Sequence, residues 1–208
     1  TVWTVHKDQF SHSGSADPSF LALNSWPGDL ARFWTTEINR RWRALAKDWS
    51  GVNQTERDAI AGLLGGPEPT LDAVRPALAS QTFFLFAADN DFAVQHIFPL
   101  FRLLDGSAKA WGAYLYHPRY NDQMLRAGFM QCVLAGWGVL DGLERQLKHQ
   151  FYGLVSSIVM SGGITAEDRQ ALLDLTVLSG NGAHSAEFAA SVLRSLTTGE
   201  PADGSEVW

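Results

Sequence analysis

The run Phe83-Phe84-Leu85-Phe86-Ala87-Ala88-Asp89-Asn90-Asp91-Phe92-Ala93-Val94-Gln95-His96 decides the reading of this chain. Its apolar content and helix-forming residues predict the middle of a long helix from Leu71 to Leu104, capped by Thr70 and stopped by Asp105-Gly106. Pro76 and Pro99 fall inside that span and predict kinks, because proline removes a helical hydrogen bond. On an unbroken helix Asp89 and His96, seven residues apart, share one face with Phe92 and Ala93 between them. An acid and an imidazole on one face of an apolar helix are raw material for a metal site.

The helical pattern extends in both directions. Pro27 suits the first turn of a helix running to about Trp49, with an apolar stripe of Leu30, Phe33/Trp34, Ile38, Trp42, Leu45 and Trp49. Asn53 and Glu56 read as a capping box for a short helix that ends at Gly65-Gly66-Pro67. Beyond Gly106, helices are predicted over Ala108–Tyr116, Asn121–Ala135, a segment reaching Met160, one opened by Thr165 and Asp168, and Ala183–Leu196. Strand-like alternation is confined to Thr1–Val5. The predicted class is all-α, a helical bundle over 25–197 preceded by an extended arm (1–24) and followed by a polar tail (198–208).

Composition narrows the function classes. A chain of 208 residues that is 46% hydrophobic can bury a sizeable core. The net charge of −6 and the lack of a Lys/Arg cluster argue against a nucleic-acid partner. No apolar run is long enough to span a bilayer, and no signal peptide is evident, so a soluble cytoplasmic protein is expected. The single cysteine, Cys132, lies in an apolar run and reads as a buried structural thiol. Eight tryptophans are a heavy load, and Trp3, Trp26, Trp34, Trp42, Trp49 and Trp208 lie outside the best core helices. Aromatics in that position favour subunit interfaces.

The candidate metal ligands are Asp89, His96, Glu144 and His184, with Glu37 and Glu187 in reserve. Carboxylate-bridged di-iron sites draw on facing helices and on paired Glu-x-x-His units. This sequence has no Glu-x-x-His, only the reversed His184-x-x-Glu187. The glycine pairs Gly65-Gly66 and Gly162-Gly163 lack a phosphate-loop context and read as helix stops. Asp141-Gly142-Leu143-Glu144-Arg145 reads as a solvated edge with local ion pairing.

Ala88-Asp89, Gln95, Leu103-Leu104-Asp105-Gly106, Ala108-Lys109-Ala110-Trp111, Pro118, Leu125-Arg126 and Trp137 together resemble the ferritin-like core of bacterial multicomponent di-iron monooxygenases, over residues 83–145. These are the phenol, toluene, alkene and alkane hydroxylases, which pair a catalytic subunit with a smaller β subunit of the same fold. In the catalytic subunit an Ala-Asp-Glu-x-x-His-like run carries iron ligands. The corresponding positions here are Ala88, Asp89, Asn90 and Ala93, so the Glu and His are missing. The resemblance therefore implies the non-catalytic β subunit, with iron held by a partner and none in this chain.

Three functions are expected, in this order. The first is an accessory subunit that docks a catalytic oxygenase subunit or self-associates through its aromatics. The second is an independent metal-dependent oxidase, with a di-iron centre drawing on Asp89, His96, Glu144 and His184 and with Glu37 and Glu187 in reserve. The third is a cofactor-free bundle whose aromatics line a site for an apolar ligand.

Overall fold

The structure is a computed structural model that describes residues 25–102, 106–178 and 182–198. The predicted arm, the Thr1–Val5 strand, Leu103-Leu104-Asp105, most of the Gly180-Asn181-Gly182 turn and the tail from Gly199 lie outside the described residues. Among the described residues every regular element is helical and there is no strand. Where the sequence reads as one bundle over 25–197, the chain divides into two compact units, the first ending at Tyr114 and the second beginning at Leu115.

In the first unit, α1 (Trp26–Leu45) is capped by the Ser25 hydroxyl, which accepts from Gly28 N at 3.3 Å, and Pro27 occupies its first turn. Its buried face is Pro27, Gly28, Ala31, Thr35 and Ile38, and it packs against α2 (Gln54–Leu64) and α3 (Glu68–Ala79). The expected stripe is thereby corrected. Phe33 and Leu45 are exposed, because they lie off the face that carries buried Ala31, Thr35 and Ile38. The predicted capping box is present: Glu56 N donates to Asn53 Oδ1 at 2.9 Å and Asn53 N to Glu56 Oε2 at 3.0 Å.

The predicted helix from Leu71 to Leu104 is broken into pieces. After α3 the chain turns at Ser80-Gln81, α4 covers Thr82–Ala88, and Asp89 is extended (φ −160°, ψ 103°). The chain then enters α5, which begins with Asn90–Phe92, passes through a π-helical turn over Ala93–Ile97 and ends in a 3₁₀ turn over Phe98–Phe101. Pro76 sits inside α3 and Pro99 opens the 3₁₀ turn. Thr70 is buried within α3, whose cap is Pro67. The unit closes on α6 (Ser107–Leu115), where buried Trp111 stands edge-on to Phe101 at 4.9 Å and donates its indole N–H to the Phe101 carbonyl at 3.2 Å.

The second unit opens on α7, which is Asp122–Met124, a π-helical turn over Leu125–Phe129 and a regular stretch over Met130–Gly136. Gly128 interrupts it with φ 117°, a conformation that glycine adopts without strain. Cys132 is buried there as expected, its thiol 3.8 Å from the Gly128 carbonyl. A 3₁₀ turn over Trp137–Gly142 leads to α8 (Arg145–Met160), α9 (Ala166–Leu178) and α10 (Gly182–Thr198). Thr165 caps α9 as predicted, accepting from Asp168 N at 3.0 Å. The main packing runs between α8 and α10, with α9 contacting α7, α8 and α10.

Candidate functional site

Of the six sequence-predicted ligands, Glu37, Asp89 and His96 fall in the first unit and Glu144, His184 and Glu187 in the second. Asp89 is the hub of the first group. Its extended backbone ends α4, and its side chain caps α5, Oδ1 accepting from Phe92 N at 2.9 Å. Oδ2 accepts from Val52 N at 2.9 Å and from the Arg57 guanidinium. Arg57 in turn donates through Nε to the Val52 carbonyl at 3.0 Å, and Trp49 donates through Nε1 to the Ala88 carbonyl at 2.8 Å. The Asp89 carboxylate thus clamps the loop before α2 to the α4–α5 break. Gly51 completes the fit: its φ is 97°, and a Cβ there would stand 2.6 Å from Asp89 Oδ2.

The expected shared face of Asp89 and His96 does not form. The helix is interrupted at Asp89 and wound as a π-helix over Ala93–Ile97, so seven residues no longer make two α-helical turns. His96 packs on the Phe92 ring at 5.1 Å between centroids, and Arg57 lies over the same ring at 5.3 Å. Burial, and secondarily the Arg57 charge, hold the His96 imidazole below its usual range, so it is neutral at pH 7. Glu37 is paired within its own helix to Arg40, at 2.6 and 2.8 Å. That hydrogen bond keeps its carboxyl below the ordinary range, against the opposing effect of burial and with lesser help from the Arg40 and Arg41 charges. A pair with no local sequence signal joins α1 to α2: Arg41 of α1 and buried Glu56 of α2 meet at 2.6 Å, while Arg41 lies 5.3 Å from the Trp49 ring centre.

In the second unit Glu144 is exposed at the N-cap of α8 and makes no side-chain cap. His184 and Glu187 do meet partners, each on another element. His184 is buried on α10 with Nδ1 bonded to the Tyr152 hydroxyl of α8 and Nε2 3.6 Å from Asp141 Oδ1. His184 Nδ1 and the Tyr152 hydroxyl share one hydrogen bond, whose donor is set by the His184 tautomer. Burial first, then the Glu187 and Asp141 charges, raise the Tyr152 hydroxyl above its usual range and keep it protonated. Glu187 pairs with His149 of α8 at 3.2 Å. Trp137 stands edge-on to Phe151 at 5.6 Å, and its indole N–H is buried without a hydrogen-bond partner.

These arrangements bear on the expected iron chemistry. Among the described residues no group of three or more His, Cys, Asp or Glu side chains is placed to hold a metal ion. Within either unit the donors do not fit a di-iron centre: both Asp89 oxygens already accept, Glu37 faces Arg40, and His184 Nδ1 is bonded to the Tyr152 hydroxyl. Tyr152, Arg57 and His149 carried no local signal, since their partners lie more than thirty residues away. No helix among the described residues is long and apolar enough to cross a membrane. No family model, curated protein or solved structure matches the chain.

Proposed function

We propose that this chain is a non-catalytic helical subunit, of ferritin-like ancestry, that docks and stabilises the catalytic subunit of a di-iron oxygenase. The observation that carries the reading is the Asp89 clamp. At the point where the resemblance places a ligand run, Asp89 is committed to Val52 N, Phe92 N and Arg57. Asn90 stands in for the missing Glu, and Ala93 is buried where the His would be. A carboxylate with its acceptors filled by two amides and a guanidinium holds the fold and leaves metal chemistry to a partner. Large apolar side chains remain on outer faces of the second unit, among them Val177, Leu193 and Leu196, as a docking subunit requires.

The test is metal content together with partner capture. The purified chain, loaded with ferrous iron without oxygen and desalted, is expected to retain no stoichiometric iron by elemental analysis. A large oxygenase subunit encoded beside it is expected to co-purify. Stoichiometric iron in the isolated chain, lost in His96→Ala, would overturn this reading in favour of the independent oxidase.

A further inference from the structure

The outward face of α1 has an order that packing among the described residues does not explain. Trp26, Asp29, Phe33, Glu37 and Arg40 succeed one another at spacings of three and four, one stripe opposite the buried Ala31, Thr35 and Ile38. Trp26 is 46% and Phe33 55% exposed. The charges are polarised along the stripe. Asp29 lies in the first turn, paired to Arg32, and Glu37–Arg40 and then Arg43 lie toward the end.

A helix face with an acid and an aromatic at one end, an aromatic at its centre and basic groups at the other end complements itself when turned end for end. We infer that α1 is the contact surface for a second copy of this chain, paired antiparallel about a two-fold axis between Trp34 and Thr35. In that register Asp29 faces Arg40 of the second copy, and Trp26 faces the guanidinium of Arg43 of the second copy. The two Phe33 rings pack across the axis, offset by about 4.5 Å along the helices at 1.5 Å per residue. The exposed pairs Arg32–Asp29 and Glu37–Arg40, each worth little alone, join into a run of alternating sign across the contact. The Asp29–Arg40 and Trp26–Arg43 contacts each occur twice and the Phe33–Phe33 contact lies on the axis, as an isologous interface requires. A single helix face is below the ~1,600 Å² of a standard interface, so dissociation is expected on the order of micromolar. This surface is independent of the oxygenase reading, and the iron measurement above does not bear on it.

Sedimentation of the full chain over a range from about 1 to 300 μM tests it. The wild type is expected to show a monomer–dimer equilibrium. Phe33→Glu is expected to weaken it at least about tenfold with unchanged helical circular dichroism. Asp29→Lys and Arg40→Glu are each expected to weaken it about tenfold by setting like charges against each other. An equimolar mixture of those two variants restores opposite charges at both ends, so its heterodimer is expected to return to within about threefold of the wild type. A wild type monomeric throughout, a dimer indifferent to Phe33→Glu, or a mixture no tighter than its components would each overturn the proposal.

Discussion

Asp89 in the first unit and His184 in the second are both polar side chains held by partners remote in sequence, but the partners differ in kind. Asp89 is a charged acceptor surrounded by donors that do not titrate near neutrality: two amides and a guanidinium. His184 sits between a phenol and a carboxylate, and its neighbours His149 and Glu187 are again titratable. The first arrangement is a static clamp. The second ties α8 to α10 through an imidazole–phenol hydrogen bond and an imidazole–carboxylate contact. The comparison teaches that the residue types associated with metal and acid–base sites serve here as fasteners, and that the nature of the partner decides how each fastener responds to conditions.

The strongest way to break that comparison is to cut the clamp. Asp89→Ala is expected to cost about 3–5 kcal/mol in urea unfolding at pH 7, because it strands the Arg57 guanidinium and two amides, with the lower end favoured by the partial exposure of Arg57. Adding Arg57→Met is expected to recover part of the loss. A cost under about 1 kcal/mol would show that Asp89 is not a fastener. Gly51→Ala comes next, at about 1–3 kcal/mol, since it forces a side chain into a left-handed backbone and against Asp89 Oδ2. Tyr152→Phe is expected to cost about 1–3 kcal/mol, by leaving His184 Nδ1 buried without its hydrogen-bond partner. Equal costs for Asp89→Ala and Tyr152→Phe would erase the difference between a charged and a neutral fastener.

The smallest effects sharpen the contrast through pH. The folded His96 pKa lies below the unfolded value, so the unfolded chain binds the proton first and this contribution is lost as pH falls below about 6.5. The folded Tyr152 pKa lies above its unfolded value, so its contribution is lost as pH rises above about 10. Stability curves of His96→Gln are expected to be flatter on the acid side, and those of Tyr152→Phe flatter on the alkaline side. The same flattening on the same side for both would refute the assignment.

Much of the fold was legible wherever the signal is local. The all-helical class, the Asn53–Glu56 capping box, Pro27 in a first turn, the Thr165 cap and the burial of Cys132 are all read from residues within a few positions of one another. The candidate site was legible only as a set of residues. Asp89 and His96 were singled out, but their grouping assumed an unbroken α-helix. His184 and Glu187 were singled out without Tyr152 and His149, the groups they meet. The apolar stripe of α1 was drawn too wide, because hydrophobicity alone ranks Phe33 with Ile38 although only Ile38 is buried.

The sequence by itself determined the helical class and those helix starts that a local cap or first-turn proline marks, at Pro27, Asn53 and Thr165, since they are settled by backbone donors and side chains within one turn. Only the tertiary structure decided that Asp89 breaks its helix. Its carboxylate gains Val52 N and Arg57, both more than thirty residues earlier, and those long-range bonds outweigh the local preference of an Ala- and Phe-rich run to stay helical. It also decided which face of α1 is covered: the face of Gly28, Ala31, Thr35 and Ile38 is buried, and Phe33, on the other side of the helix, is left outward.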